Sequence, residues 1–235
     1  MHWDIPPKPA EITENRLIDA ILGGAFPIGS SLPAERELAA QLGVTRPTLR
    51  EALQRLGRDG WIEVRHGRPT RVRDYWREGN LGVLGAIARR AENLPEDFVP
   101  NLLYVRLVMA PAYTRLAVES APQQVQTALQ AQGQLPDEPA ALAEFDWQLH
   151  YQLTLASGNP IFTLILNGFS DLYLPMARLY FQTAQARASS RRFYADLLAA
   201  ALAQDAQAAE EITRQVMADS LELWQQAKQD ENARR

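Results

Sequence analysis

Between Leu32 and Val72 the stretch LPAERELAAQLGVTRPTLREALQRLGRDGWIEVRHGRPTRV sets two short helical patterns on either side of a glycine and follows them with two strand patterns. That order fits a winged helix-turn-helix and little else. Leu38, Ala39 and Leu42 recur at helical spacing from Ala34 to Leu42, and Gly43 stops the helix. Val44 fills the turn. Thr45 can cap the next helix, whose first turn tolerates Pro47 because an amide there has no intrahelical partner. Leu49, Ala52, Leu53 and Leu56 then form one buried stripe. After Gly57 and Asp59-Gly60, Trp61 to Val64 and Pro69 to Val72 read as two strands joined by a wing at His66-Gly67-Arg68.

The second helix also has a charged face. Arg46, Arg50 and Gln54 follow one another in steps of four, opposite the apolar stripe. Guanidinium groups near a helix N-terminus suit a major groove, since Arg donates two parallel bonds to guanine and the helix end favours phosphate. Residues 32–73 hold nine Arg against five acidic residues, a balance of 9 − 5 = +4, whereas the whole chain carries −4 and the remainder therefore −8. A basic module on an acidic chain is the footprint of phosphate binding confined to one end.

The 235 residues, 46% of them apolar, supply two cores. The expected plan is a DNA-binding domain over 1–73, a charged linker over 74–80 and an all-helical domain over 81–235. Ile12, Leu17, Ile18, Ile21 and Leu22 form the apolar side of a first helix that ends at Gly23-Gly24. Beyond the linker, helices are expected at Leu81 to Arg90, Pro100 to Ser120, Gln123 to Gln132, Pro139 to Leu155, Pro160 to Phe169, Asp171 to Gln182, Ser189 to Ala203 and Ala206 to Lys228. Without Cys the chain has neither disulfides nor thiolate metal sites. No signal-like N-terminus or bilayer-length apolar run appears, so a cytoplasmic protein is expected. A helical domain of this size behind a DNA reader suits dimerisation and ligand sensing, because such readers usually bind palindromic sites as dimers.

These residues resemble the DNA-binding domain of the GntR family and, more narrowly, its fatty-acid-responsive FadR subgroup. Asn101-Leu102-Leu103 with Val105-Arg106, and ASGNPIFTLILNGFSDLY from Ala156 to Tyr173, are similar to that subgroup's effector domain. The resemblance implies a mainly α fold, a winged helix-turn-helix followed by an antiparallel α-helical bundle. It further implies a homodimeric transcriptional regulator of fatty acid metabolism that leaves a palindromic operator when long-chain acyl-CoA fills the bundle. Arg36, Arg46 and Arg50 would approach bases and phosphates, Thr45 and Thr48 would fix the helix on the backbone, and His66, Gly67 and Arg68 would enter the minor groove. Pro47 stands where Thr often lies, and Ala34 where Ser caps the helix, with Glu37 keeping half of a capping box.

In the effector domain the resemblance places Leu102, Arg106, Tyr180, Tyr194, Ser220 and Trp224 around the ligand. Arg106 serves either the phosphate end of that ligand or a salt bridge. Each aromatic either lines a cavity or packs a core. Met217 replaces a Gly of acyl-CoA-binding members and Asp219 a longer Glu, so an organic acid or other small effector is the alternative. Some GntR proteins hold a metal through Asp-x-x-x-His plus two later His. Asp146 and His150 match the first part, but the only other His are His2 and His66, so no metal site is expected and a His150–Asp146 hydrogen bond is favoured. No nucleophile elbow or P-loop is present, and Gly23-Gly24 is a helix stop, which argues against an enzyme.

Overall fold

The computed structural model describes residues 7–65, 67–90, 94 and 97–233, without the side chains of 88 and 227–233. The chain forms two compact units, one reaching Ile87 and the other beginning at Ala88. Among the described residues the fold is mainly α, and no helix is long and apolar enough to cross a membrane.

The first unit is a winged helix-turn-helix. Helix α1 spans Pro9–Leu22, α2 Glu35–Leu42 and α3 Arg46–Asp59. Helix α1 buries Ala10, Thr13, Leu17, Ile18 and Ile21, while Ile12, expected on that side, is 40% exposed. Thr13 takes the inner place because its hydroxyl donates back to the Pro9 carbonyl at 2.7 Å, which removes the cost of burying it. Gly43 ends α2 with φ +67, a left-handed turn suited to glycine. Thr45 then caps α3, its hydroxyl accepting from the Thr48 amide at 3.3 Å. Ala34 contributes no side-chain cap to α2.

The wing is shorter than its sequence pattern. Strand β1 covers only Ile62–Glu63 and β2 only Arg71–Val72, antiparallel, with Ile62 opposite Val72. Val64 is 54% exposed, so packing does not hold the outer residues in register. The segment before α2 covers the other edge of β2: the Leu32 amide donates to the Thr70 carbonyl at 2.8 Å, and the Val72 amide to Ser30 at 2.9 Å. Past the wing, α4 (Tyr75–Glu78) and α5 (Leu81–Ala88) follow. Asn80 fastens them to the end of α3 through its amide on Asp59 and its side chain on the Arg58 carbonyl. At Gly60, φ is +95 and a Cβ would meet the Glu78 carbonyl oxygen at 2.7 Å, so glycine is required by both conformation and space.

The second unit is a helical bundle. It comprises α6 (Phe98–Ser120), α7 (Pro122–Leu129), α8 (Pro139–Ala156), α9 (Pro160–Asn167), α10 (Ser170–Tyr180), α11 (Ala184–Ala203) and α12 (Ala206–Ala233). Ala110, Tyr113 and Ala117 of α6 pack with Leu149 and Leu153 of α8, Phe193 and Leu197 of α11, and Val216 and Met217 of α12. Helix α11 begins five residues before the expected Ser189, because the Thr183 hydroxyl caps it by accepting from the Ala186 amide. The turn at Ser157 to Pro160 follows its sequence: Gly158 has φ +73, and Asn159 caps α9 by accepting from the Ile161 amide at 3.0 Å.

Candidate functional site

The face that α3 turns away from its core is polar and open. Leu49, Ala52, Leu53 and Leu56 are buried, while Arg46, Arg50 and Gln54 are exposed. Arg36 on α2 is exposed as well, and neither it nor Arg46 forms an ion pair with a described residue. Arg50 instead donates through Nε to Glu35 at 2.8 Å, an exposed pair that bridges α3 to α2. Nothing in the residue spacing signalled that contact. Such a pair in water is worth little, so a phosphate or guanine can displace Glu35 readily. The Thr45 and Thr48 hydroxyls lie 2.8 Å apart at the N-terminus of α3, where unpaired amides and the helix dipole favour an anion. In the wing, Gly67 has φ +69 and open space around it, and Arg68 is exposed. His66 lies outside the described residues.

The bundle contains a buried polar network. Tyr194 Oη donates to Asp146 Oδ1 at 2.9 Å and Tyr173 Oη to Oδ2 at 2.5 Å, while Arg106 Nη2 reaches Oδ2 at 3.4 Å. Arg106 also donates to the Tyr173 hydroxyl at 2.9 Å and stacks over that ring, 4.9 Å from its centroid. Burial raises the Asp146 carboxyl, yet His150, Arg106 and the two phenols outweigh it, and the group titrates below its ordinary value. Burial also opposes the Arg106 charge, but Tyr173 and Asp146 more than compensate. Arg106 is therefore a partly buried cation paired with Asp146 within one unit.

His150 departs from its expected bond. Its Nε2 stands 3.8 Å from Asp146, too far for a hydrogen bond, and instead meets Arg106 Nη2 at 3.2 Å, while Nδ1 meets Tyr113 Oη at 2.8 Å. The nearby phenols satisfy the carboxylate and leave His150 to Tyr113. Because arginine only donates, Nε2 accepts and the proton sits on Nδ1. Burial pushes the imidazole down to about 4, with Asp146 opposing and Arg106 assisting, so His150 is neutral at pH 7. Among the described residues no three His, Asp or Glu side chains converge as a metal site.

Beside this network lies a cavity of about 50 Å³. Leu102, Arg106, Tyr180, Ser220 and Trp224 line it, as does Met217, whose side chain takes up room between α6 and α12. Tyr194 does not reach it and stands one layer back, fixed to Asp146. The Tyr180 and Ser220 hydroxyls are 3.3 Å apart. The indole N–H of Trp224 is buried and meets no acceptor among the described residues. Tyr173 and Phe193 are also in the lining; Tyr173 closes the Ala156–Tyr173 stretch but was not among the residues expected around the ligand, and Phe193 carried no motif.

One unit has an exposed arginine face on α3 and the other an apolar cavity, and the sequence comparisons give the family. Residues 9–72 match the bacterial regulatory proteins of the gntR family, and residues 73–234 match the FadR C-terminal domain. The chain belongs to the GntR family, in its FadR branch. Relatives of this FadR-type regulator include the fatty acid metabolism regulator protein of Shewanella denitrificans, 42% identical over 225 residues that cover 94% of this chain and 93% of that protein. The protein of the same name from Edwardsiella ictaluri is 43% identical over 190 residues, covering 81% and 80%. Among solved structures, Lar, described as controlling the Listeria monocytogenes agr system, aligns over 94% of this chain and 98% of its own with a TM-score of 0.55 at 13% identity, a likeness of fold alone. The FadR-type chain is accordingly a DNA-binding transcriptional regulator and not an enzyme.

Proposed function

We propose that this protein regulates genes of fatty acid metabolism, binding a palindromic operator as a homodimer and leaving it when a long-chain acyl-CoA enters the second unit. The cavity beside Trp224 carries the reading. Its walls are apolar apart from a few polar atoms, which is how a site for a long chain with one polar function is built. The indole N–H meets no acceptor among the described residues, and a thioester or amide carbonyl that reaches it supplies one without bringing a charge into the core. A small organic acid suits it less, because the partly buried cation Arg106 already serves Asp146 and a second carboxylate would compete with the first.

On the DNA side, Arg46, Arg50 and Arg36 meet the major groove, Thr45 and Thr48 the phosphates beside it, and the wing at His66, Gly67 and Arg68 the minor groove. Fluorescence anisotropy on the protein's own promoter region, at fixed salt, tests the whole reading when titrated with palmitoyl-CoA and with free CoA as control. Release by the acyl thioester alone is expected. DNA binding that ignores both compounds overturns the effector assignment and leaves the DNA-binding one standing.

A further inference from the structure

The buried carboxylate of Asp146 has two alternative cations. Arg106 Nη2 reaches its Oδ2 at 3.4 Å, and His150 Nε2 stands 3.8 Å from its Oδ1. The same arginine nitrogen donates to His150 Nε2 at 3.2 Å, so the guanidinium occupies the lone pair on which His150 would take a proton. While Arg106 is in place the imidazole stays neutral. Only one of the two can serve the carboxylate as its cation.

Arg106 is the partner able to leave. Its side chain is 23% exposed, against 8% for Asp146 and 0% for His150. Its polar contacts in the network all run through Nη2, whereas His150 is held by Tyr113 at Nδ1 and by a stack on Phe193, 6.2 Å between centroids. Pro111 lies in α6 between Arg106 and Tyr113 and has no amide to offer the Leu107 carbonyl, so the turn that bears Arg106 is tied less firmly than the turn that bears Tyr113. Arg106 also lines the cavity beside Trp224. That cavity, about 50 Å³, has room for only a few water molecules, and a larger ligand must move wall side chains aside.

Departure of the guanidinium would leave two deficits, a carboxylate without its cation and an Nε2 without its donor. One proton on Nε2 repairs both. An imidazolium donates from that nitrogen, and a shift of about 1 Å brings it within hydrogen-bond distance of Oδ1. The surroundings of His150 permit the exchange. The titratable groups that face it are Arg106 and Tyr113 on α6, Asp146 on its own helix, Tyr173 on α10 and, through Asp146, Tyr194 on α11. Among the described residues α9 and α12 bring no buried titratable group to the bundle. Burial opposes the imidazolium, Asp146 favours it and Arg106 opposes it, so removing Arg106 leaves the carboxylate as the one charge acting on the ring.

We propose that His150 couples the effector site to pH: a ligand that draws Arg106 out of the network is bound together with a proton from solvent, which His150 takes on Nε2 to replace the guanidinium beside Asp146. The proposal rests on the acyl-thioester reading above for the identity of the ligand. Linkage fixes its sign. The complex holds more protons than the ligand-free protein, so effector affinity rises as pH falls.

The chain has three His, so isotope-labelled imidazoles give a nuclear magnetic resonance spectrum in which His150 is assigned by elimination with His2→Gln and His66→Gln. Spectra of the full wild-type chain at pH 6 are compared alone, with palmitoyl-CoA and with free CoA. His150 is expected to be neutral alone and with free CoA, and cationic with palmitoyl-CoA. Calorimetry gives a second readout: between pH 7.5 and pH 6 the Kd for palmitoyl-CoA should fall about fourfold or more, the change for a group that regains a value near 6.5 or above in the complex. His150→Gln, with ligand-free operator affinity as its folding control, should lose most of that change. A His150 that stays neutral in the palmitoyl-CoA complex, or a pH dependence unaltered in His150→Gln, overturns the proposal and leaves the acyl-thioester reading intact. Failure of palmitoyl-CoA to bind the wild-type chain overturns that reading and the proposal with it.

Discussion

The hydroxyl of Tyr173 donates to Asp146 Oδ2 at 2.5 Å, across the gap between α10 and α8, while the same hydroxyl accepts from Arg106 at 2.9 Å. One phenol thus links the buried carboxylate to the partly buried guanidinium, and at neutral pH the carboxylate is kept ionised by Arg106, Tyr173 and Tyr194 from three other helices. Tyr173→Phe keeps the ring and its stacking on Arg106 but removes that link. The expected cost is about 1 to 3 kcal/mol, the penalty of an under-satisfied buried charge. Urea unfolding followed by tryptophan fluorescence reads it, and a variant as stable as the parent would show that Tyr194 and Arg106 suffice for Asp146.

His150 makes stability depend on pH. Its unfolded-state value is near 6.5 and its native value about 4, so between those pH values the unfolded chain binds a proton that the native chain does not. Stability therefore rises with pH through this window and is lost as pH falls from about 6.5 to 4, by about 3 kcal/mol in all. Asp146 acts lower: its native carboxyl titrates below 3.8, and its contribution disappears only in stronger acid. Urea midpoints measured from pH 7 to 4 should slope downward, and His150→Phe should flatten the slope over that window even where it lowers the midpoint. An unaltered slope in the variant would place the responsible proton elsewhere.

The head separates a reading residue from a folding one. Arg46 is exposed and forms no ion pair with a described residue, so Arg46→Ala should leave the unfolding midpoint in place while weakening operator binding by about 1 to 3 kcal/mol and relaxing preference at one base pair. Thr45→Ala removes the cap of α3 and should cost about 1 kcal/mol of stability. Operator affinity by anisotropy, paired with thermal unfolding of each variant, checks both. Equal loss of stability in the two variants would reassign Arg46 to the fold.

How much of this the sequence revealed depended on range. The cap at Thr45, the stop at Gly43 and the turn at Gly158-Asn159 involve residues within three positions of one another, and their chemistry is decided locally. The helical faces were legible because a 3.6-residue period records which side is buried. Ile12 misled because the pattern cannot see that Thr13 satisfies itself on Pro9 and takes the inner place. The partners of Arg106 were not legible: they lie 40, 44 and 67 residues from it and carry no shared spacing. Asp146 and His150 stood one turn apart and suggested a mutual bond, yet three tyrosines from three other helices divided them. Arg106→Ala should give a protein destabilised by about 3 to 5 kcal/mol, because the buried Asp146 carboxylate loses its cation.

Trp224 offers the cleaner probe of the effector. Its indole N–H is buried without an acceptor among the described residues, so Trp224→Phe removes a donor that bonds to none of them and keeps an aromatic ring at a position that, with Ser220, lines the cavity. Stability should stay within about 1 kcal/mol of the parent, since the lost packing is offset by removal of an unsatisfied polar group. DNA affinity without ligand should not change. Acyl-CoA should bind more weakly by about 1 to 1.5 kcal/mol, roughly fivefold to tenfold, if its carbonyl is the missing acceptor. The concentration of palmitoyl-CoA that releases half of the DNA measures this directly. A release curve that coincides with the parent's would mean the indole N–H meets no ligand atom, and the polar end would have to be sought at the Tyr180–Ser220 hydroxyl pair instead.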